Sequence, residues 1–236
     1  QAARPRSGPS PAEPDGEIFP WTREARDLVE NWWAACPPPA GEAWEPYPVA
    51  RRTLNWAVAL ALAPDLGPVL VPRLALQMRF LASHLERHLL GNHLLCDAAA
   101  LVAGAAVIDA GGIEDIGRLG ARLLEDELGK QVLPDGGHVE RTAQYHAVVL
   151  RDALWALLLA RYRSRRLEIE QPLSRMLGWL GRVRRPDGSL PCLNDAAPDA
   201  TSREHQHHAA DGSAHGRRHR QLYRERDASR RDAEER

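Results

Sequence analysis

Apolar residues recur along most of this chain at intervals of three or four positions, the spacing that lines up side chains on one face of an α-helix. One such stripe consists of Ala147, Leu150, Leu154, Leu157 and Leu158. Glycine, proline and helix-capping residues interrupt the pattern and mark where helices begin and end. The sequence therefore predicts successive helices over about 23–35, 49–63, 71–90, 93–110, 115–132, 142–163 and 167–183.

Several residues at these boundaries are suited to helix ends. Thr22 and Thr142 can cap the helices that follow them, and Pro72 is tolerated in a helical first turn. Gly91 can take the left-handed conformation that ends a helix, and Asn92 is a good N-cap for the next one. We therefore predict that one helix ends and another begins at Gly91–Asn92.

The predicted elements are all helices, joined by short connections, with no clear strand. This order is typical of antiparallel helical pairs and predicts an all-α fold over residues 17–199. Residues 1–16 are rich in Pro, Ala, Arg and Ser, which predicts a disordered leader. Residues 200–236 contain no Ile, Val, Phe, Trp or Met and only one Leu, so they cannot build a core and are predicted to be a disordered tail.

The overall composition argues against several classes of protein. The formal net charge is −1, so nothing in the whole chain favours a nucleic-acid partner. Cys36, Cys96 and Cys192 are far apart and odd in number, which favours free thiols over a disulfide scaffold or zinc ribbon. No apolar run is long enough to span a bilayer. The chain begins at Gln1 with no signal-peptide pattern, so we expect a processed chain or, preferably, a fragment.

Three motifs carry most of the polar residues that suit chemistry. They are P-Y-P-V-A-R-R-T-L-N-W (Pro46–Trp56), E-R-H-L-L-G-N-H-L-L (Glu86–Leu95) and D-G-G-H-V-E-R-T-A-Q-Y-H (Asp135–His146). The residues that the last two place at predicted helix N-termini are Asn92, His93, Tyr145 and His146. Backbone N–H groups and the helix dipole favour anions there. An amide, imidazoles and a phenol in such a place suit chemistry on a carboxylate-bearing substrate.

These motifs resemble the N-terminal α-helical domain of the heparinase II/III polysaccharide lyases, a domain that some alginate lyases share. The resemblance covers this chain from about Trp21 to Asp195. The resemblance implies an incomplete (α/α) toroid, whose inner helices surround a cleft. It also implies an acidic, uronic-acid-containing polysaccharide as substrate, heparan sulfate-like or alginate-like, cleaved by β-elimination without an organic cofactor or a metal. Because the family acts on substrates outside the cell, we expect a periplasmic or secreted protein.

The resemblance ends near Asp195, before the stretch that is poor in apolar residues. The family continues after a motif like L-P-x-x-N-D (Leu190–Asp195) into more helices and a large β-domain, which is missing here. We therefore expect that the reading frame departs soon after Asp195, with a native disordered tail as the alternative. The family also uses a histidine from beyond the toroid, which no histidine of this chain matches. The resemblance therefore implies that the chain by itself lacks part of the family's active site.

The resemblance assigns the catalytic roles. Elimination needs a group that neutralises the uronate carboxylate, a base for the C5 proton and an acid for the leaving oxygen. The resemblance gives the first role to Asn92, whose amide can donate to a carboxylate oxygen, with His93 as a second donor. It makes Tyr145 the acid, and the base as well if a nearby positive charge lowers its pKa. Without the resemblance, Asn92 is more simply an N-cap and His93 a hydrogen-bonded histidine near the core.

Other residues of the motifs are candidates for binding the substrate. His138 and His146 are expected to bind substrate or to hold the tyrosine. Arg141 can attract an anion or support a phenolate, although with Glu140 it can equally form a solvated ion pair of little energetic value.

The upstream motif adds three more candidates for the cleft. Arginine pairs with carboxylate or sulfate and aromatic faces stack on sugar rings, so Arg52, Asn55 and Trp56 are expected to line it. Asn55 and Trp56 are adjacent on a helix and point in different directions, so at least one of them is structural.

Three alternatives remain open at this point. His84 and His88 are spaced to share a helix face and bind zinc, although the sequence lacks the zincin order. A glycoside hydrolase would need two flanking carboxylic acids, for which Asp97, Asp135 and Glu140 are available. A non-catalytic helical module that binds an anionic glycan or a protein is the third alternative.

Overall fold

The computed structural model describes residues 4–5, 21–89, 91–192 and 194. They belong to the first of two compact units, Gln1–Pro198, whereas the second, Asp199–Arg236, lies wholly outside the described residues. Most of the predicted leader and the whole of the predicted tail at 200–236 therefore lie outside them too.

The described chain is built almost entirely of helices, as the apolar spacing predicts. The helices are α1 (Thr22–Ala35), α2 (Pro46–Leu62), α3 (Gly67–Ser83), α4 (Asn92–Val107), α5 (Ile113–Gln131), α6 (Ala143–Tyr162) and α7 (Glu170–Val183). Short 3₁₀ turns at Glu42–Trp44 and Pro64–Leu66 precede α2 and α3. The all-α prediction is confirmed.

The prediction of no strand is wrong at one place, within the predicted leader. Arg4–Pro5 (β1) pairs antiparallel with Ile108–Asp109 (β2), directly after α4. The backbone becomes extended at Ile108, where φ is −121° and ψ is 152°, and this ends the helix. Two residues on each side are too few to form a layer of their own.

The third helix is displaced from its predicted position. It begins at Gly67 with Pro68 in its first turn, so that Pro72 lies inside the helix and cannot donate a bond to the carbonyl of Pro68. The helix ends at Ser83 rather than near residue 90. The hydroxyl of Ser83 bonds the Arg79 and Phe80 carbonyl oxygens, at 3.2 and 2.8 Å, and so takes up acceptors of the last turn.

Two predicted caps are corrected and one is confirmed. Asn92 is the first residue of α4 rather than its cap, and Gly91 before it has φ 63° and ψ −148°, which only glycine adopts easily. Thr22 likewise begins α1 instead of capping it. Thr142 caps α6 as predicted, since its Oγ1 accepts the Tyr145 backbone N–H at 2.9 Å.

The order of the helices produces three successive pairs. Connections at 63–66, 108–112 and 163–169 join α2 to α3, α4 to α5 and α6 to α7, and the helices of each pair contact each other. Such short connections make each pair antiparallel. α4 also contacts both α2 and α6, so that α2, α4 and α6 form a central row.

α4 lies at the centre because its side chains are small and apolar. Every residue from Leu94 to Val107 is buried, including the single charged one, Asp97. The glycines of α5 permit a close approach, since a Cβ on Gly120 would lie within 3.0 Å of both Ala98 and Leu101. One apolar cluster fills the space between α4 and α2–α3, and a second lies among α4, α5, α6 and α7. Among the described helices, none combines the length and the apolar character needed to cross a membrane.

Candidate active site

Side-chain contacts connect the three central helices. The ring of Tyr47, in the first turn of α2, stacks on His93 of α4 with 4.5 Å between centroids. Arg51, one turn further along α2, forms an ion pair with Asp152 of α6. The first contact joins the upstream motif to the Glu86–Leu95 motif, and the second joins α2 to α6.

Asn92 is fixed through its backbone. Its N–H donates to the Glu140 carboxylate, with 2.7 Å between Asn92 N and Oε1. The side chain is half-buried, and no residue in the described part of the chain hydrogen-bonds its carboxamide. Asn92 therefore combines a held backbone with an amide whose donors are available to a ligand.

Two N–H groups of the predicted anion site already have partners within the chain. Glu140 occupies the Asn92 N–H, and the Thr142 hydroxyl occupies the Tyr145 N–H. Both backbone donors are satisfied by the chain's own oxygens, as helix starts require.

His93 is oriented by a buried carboxylate. Its Nδ1 lies 3.1 Å from Glu86 Oε2, and Glu86 is 9% exposed at its side chain against 37% for His93. The backbone N–H of Glu86 in turn donates to Asp97 Oδ2 at 2.9 Å. Because one edge of the imidazole is held and the ring is partly open, His93 can present its other nitrogen to a ligand.

Tyr145 lies in the first turn of α6 and is half-buried. It precedes Asp152 by seven residues, so the two side chains share a face of the helix. Because Asp152 meets Arg51, this is the face directed toward α2. Tyr145 is therefore on the side of α6 that belongs to the site.

The rings of His138 and His146 are both buried. His146 Nε2 donates to the Met176 carbonyl at 3.1 Å, and its ring stacks on Trp179. Burial lowers the pKa of His146, and it lowers the pKa of His138 to about 4. Neutral, buried rings have no surface for substrate and no charge with which to support a phenolate. These histidines were expected either to bind substrate or to hold the tyrosine. Only a role in holding neighbouring groups agrees with their burial.

Arg141 and Glu140 do not pair with each other. Glu140 turns to Asn92, as described above, and Arg141 is exposed with a φ of 55°. The Arg141 carbonyl accepts from Asn194 Nδ2 at 2.7 Å. The suggested ion pair between adjacent residues is therefore replaced by two separate contacts, and the guanidinium of Arg141 remains exposed near the start of α6.

Arg52 and Trp56 belong to a tryptophan cluster on another side of α2. The Arg52 guanidinium lies 4.0 Å from the ring centroid of Trp32 and donates to Gln77 Oε1 at 2.6 Å. Trp32 and Trp56 make an edge-to-face contact at 5.9 Å. These contacts give both residues a structural role. Asn55, which is exposed one turn after Arg51, remains the candidate for the cleft from this motif.

The alternative metal and hydrolase sites find no support. The ring of His84 stacks on Phe80, and His88 is exposed in the turn after α3. No group of three or more His, Cys, Asp or Glu side chains in the described ranges could hold a metal ion. Asp97 is wholly buried, and Asp135 Oδ1 accepts the Gly137 N–H at 2.9 Å. With Glu140 bound to Asn92, each candidate carboxylate of a hydrolase is engaged within the fold.

The sequence reasoning missed Tyr47, Arg51 and Asp152, which join α2 to α4 and α6. Burial is the main cause that raises the pKa of Tyr47 to about 12, so its phenol stays protonated. Burial acts to lower the pKa of Arg51, but the charge of Asp152 and its hydrogen bond outweigh burial and raise it. The signal in the sequence was the one-turn spacing of Tyr47 and Arg51 within the upstream motif.

Comparisons with known proteins agree with the helical fold. The family model described as the heparinase II/III N-terminus matches residues 22–213, which extends beyond Asp195, where the motifs end. The crystal structure of heparinase III superposes with a TM-score of 0.58 at 19% identity, covering 71% of this chain and 28% of that one. Heparan sulfate lyase HepC from Pedobacter heparinus superposes with a TM-score of 0.52 at 20% identity, covering 73% and 29%.

At these identities the structural likeness shows a shared fold and nothing finer. The chain spans less than a third of the length of either structure. No curated protein matches the chain significantly in sequence.

Proposed function

The chain belongs to the heparinase II/III family, and from this premise we propose that it forms the helical part of a polysaccharide lyase. The reaction would be β-elimination at a uronic acid of an acidic polysaccharide, heparan sulfate-like or alginate-like. The observation that carries the proposal is the bond from the Asn92 N–H to Glu140, which lies two residues before Thr142, the cap of the helix that carries Tyr145. The proposal extends to a periplasmic or secreted location, because large acidic polysaccharides are met outside the cytoplasm.

The proposed architecture is an incomplete (α/α) toroid. In such a fold the first helix of each pair lies on the inside, which assigns α2, α4 and α6 to the inner row and α3, α5 and α7 to the outer one. The contacts of α4 with both α2 and α6 support this assignment. The substrate would then lie across the first turns of the inner helices, where the chain presents Asn92 and His93.

Asn92 is proposed to bind the uronate carboxylate. Elimination begins with loss of the C5 proton, which leaves negative charge on that carboxylate as it becomes enolate-like. A neutral amide can donate to the carboxylate without itself being a charge that must be desolvated. Donors that are already in place when charge develops stabilise the transition state most effectively. The absence of a hydrogen-bond partner for this amide among the described residues supports the role.

Tyr145 is proposed to give a proton to the leaving oxygen, and His93 to assist. A phenol is protonated at neutral pH and can act as a general acid without any shift of its pKa. The imidazole of His93, oriented by Glu86, can donate to the carboxylate beside Asn92 or accept the C5 proton. His138 and His146 would hold the surrounding backbone, and exposed Arg141 and Asn55 would contact the polysaccharide.

The test is a pair of tyrosine substitutions on the same helix. Tyr145→Phe should reduce formation of the ultraviolet-absorbing unsaturated product by about a hundredfold or more, because it removes the acid. Tyr162→Phe is the matched control, since Tyr162 is exposed at the far end of α6. Retention of the variant on an immobilised acidic polysaccharide should be unchanged in both. Full activity of Tyr145→Phe would remove the acid role from this residue.

A further inference from the structure

The peptide group between Gly91 and Asn92 is held from both sides by side chains that come from the end of α5 and the connection after it. Its C=O accepts from Gln131 Nε2 at 3.2 Å. Its N–H donates to Glu140 Oε1 at 2.7 Å. Both polar atoms of a single peptide group therefore have side-chain partners that lie at least 40 positions away in the sequence.

His138 links these two partners. Its Nδ1 accepts the Glu140 backbone N–H at 3.4 Å, which leaves the proton of a neutral ring on Nε2. That proton is donated to Gln131 Oε1, with 3.0 Å between the heavy atoms. Gln131 is fixed further by Glu127 Oε2, which accepts from its amide at 2.8 Å. Burial lowers the pKa of His138 to about 4, so the ring stays neutral and keeps this pattern at neutral pH.

We propose that Gln131, His138 and Glu140 form a clamp whose task is to position Asn92 for the elimination reaction. The proposal rests on the function proposed above. It names three positioning residues, none of which needs to touch the substrate. A held backbone at the first residue of α4 fixes the direction in which the Asn92 side chain leaves the helix.

The choice of residue at position 91 supports a positioning role over ordinary capping. A serine, aspartate or asparagine there would cap α4 locally. The chain has glycine instead, and a Cβ at this position would overlap the Glu140 carboxylate. The start of α4 thus has no side-chain cap from a neighbouring residue. Its first N–H instead bonds the carboxylate of Glu140, 48 positions away in the sequence.

The connection between α5 and α6, which contains His138 and Glu140, also directly precedes the helix that carries Tyr145. Residues 132–142 join α5 to α6, and the segment is tied to itself by the bridge between Val132 and His138. Glu140 lies two residues before Thr142, which caps the helix that carries Tyr145. The clamp therefore sets the position of Asn92 relative to the start of the helix that carries the proposed acid. A misplacement of even 1 Å can reduce a catalysed rate by about a hundredfold.

The experiment compares Glu140→Ala, Glu140→Gln and Glu125→Ala in the 236-residue chain. Glu125 is the matched control, since its carboxylate also accepts one backbone N–H, that of Glu168 at 2.9 Å, on an exposed part of the molecule. Lyase kinetics and the hydrogen exchange of the Asn92 amide are measured for each. Glu140→Ala should speed exchange at Asn92 and lower kcat at least tenfold, with KM within about twofold.

The other variants separate positioning from simple stabilisation. Glu140→Gln keeps an acceptor oxygen and should recover most of the kcat and of the exchange protection. Glu125→Ala should lower Tm slightly while leaving kcat and Asn92 exchange unchanged. Full kcat in Glu140→Ala despite fast exchange at Asn92 would overturn the positioning role, and unchanged exchange would overturn the clamp itself. A wild-type chain that forms no unsaturated product would overturn the proposed function, and the positioning role with it, whatever the variants do.

Discussion

At the scale of single residues, Gly91 is a position that cannot readily accept a side chain. Its φ of 63° with ψ of −148° is a conformation that other residues adopt at a cost of roughly 1–3 kcal/mol. A Cβ would also displace the Glu140 carboxylate from the Asn92 N–H. Both effects come from replacing one hydrogen atom with a methyl group.

We therefore expect Gly91→Ala to lower the free energy of unfolding by roughly 2–4 kcal/mol, as strain and a lost charged hydrogen bond add together. Urea denaturation measures the change. Gly111→Ala is the control, since a Cβ there meets nothing within 4 Å and its φ is not positive. A destabilisation by Gly91→Ala no larger than that of the control would show that this backbone geometry is not required.

Asp97 and His138 are buried groups that bind protons in opposite ways on folding. Burial raises the pKa of the Asp97 carboxyl from 3.8 to about 7, so between these values the folded chain holds a proton that the unfolded chain has lost. Burial lowers the pKa of His138 from 6.5 to about 4, so between these values the unfolded chain holds the extra proton. On acidification Asp97 therefore favours the folded state, and His138 favours the unfolded state.

This opposition predicts how stability depends on pH in two variants. Asp97→Asn should make the free energy of unfolding fall more steeply from pH 7 to pH 4.5, by roughly 2–4 kcal/mol over the window, because the histidine effect is no longer offset. His138→Gln should have the opposite effect on the slope. Chemical denaturation at several pH values gives these slopes directly. Parallel curves for wild type and Asp97→Asn would mean that Asp97 is ionised in the folded chain.

At the scale of helices, α2 and α6 are joined by an ion pair between a half-buried arginine and a buried aspartate. Arg51 of α2 bonds Asp152 of α6, whose side chain is only 4% exposed and also meets Arg151. Arg51 reaches Cys96 of α4 as well, with 3.8 Å between Nη1 and Sγ. Burial raises the pKa of the Cys96 thiol, so this sulfur is neutral and leaves Asp152 as the only full charge facing Arg51 in these contacts.

Loss of that carboxylate should be costly, since it leaves the half-buried Arg51 guanidinium without its counter-charge. We expect Asp152→Asn to lower the free energy of unfolding by about 3 kcal/mol. Asp115→Asn, which breaks an exposed pair with Arg118 on α5, should leave it nearly unchanged. Equal effects of the two substitutions in urea denaturation would show that the Arg51–Asp152 pair contributes no more than a surface one.

The helices and their local ends could largely be predicted from the sequence, because the determining contacts are close along the chain. The Thr142 cap on Tyr145 acts over three residues and was found from sequence. The end of α3 was predicted too late because the apolar spacing continues past Ser83. The helix ends where the Ser83 hydroxyl and the His84 imidazole bond the Phe80 carbonyl, and such contacts produce no periodic pattern in the sequence.

The hydrogen bonds between distant residues of the site could not be predicted in the same way. The bonds from Gln131 and Glu140 to the peptide before Asn92 span 40 and 48 positions, and nothing in a single sequence marks such partners. Motif spacing correctly suggested that Asn92, His93 and Tyr145 lie at helix starts. It also suggested open N–H groups at those starts, whereas the N–H groups of Asn92 and Tyr145 bond oxygen atoms of the chain itself.

At the scale of the whole molecule, the fold agrees with the family to which the chain belongs. Three helical pairs place α2, α4 and α6 side by side, with Tyr47 of α2 against His93 of α4 and Arg51 of α2 against Asp152 of α6. The aromatic cluster around Arg52 packs on another side of α2 and supports it. An active site at the first turns of the row, with the remaining substrate contacts supplied elsewhere, is the arrangement that we propose.

The measurement that tests this account most directly is the product formed when the chain is incubated with uronic-acid polysaccharides, heparan sulfate and alginate among them. Elimination creates a double bond that absorbs ultraviolet light, and the account predicts growth of this absorbance together with new chain ends. New reducing ends without the absorbing double bond would mean hydrolysis. Retention on the polysaccharide with neither product would mean a binding module, and either result would contradict the proposed lyase function.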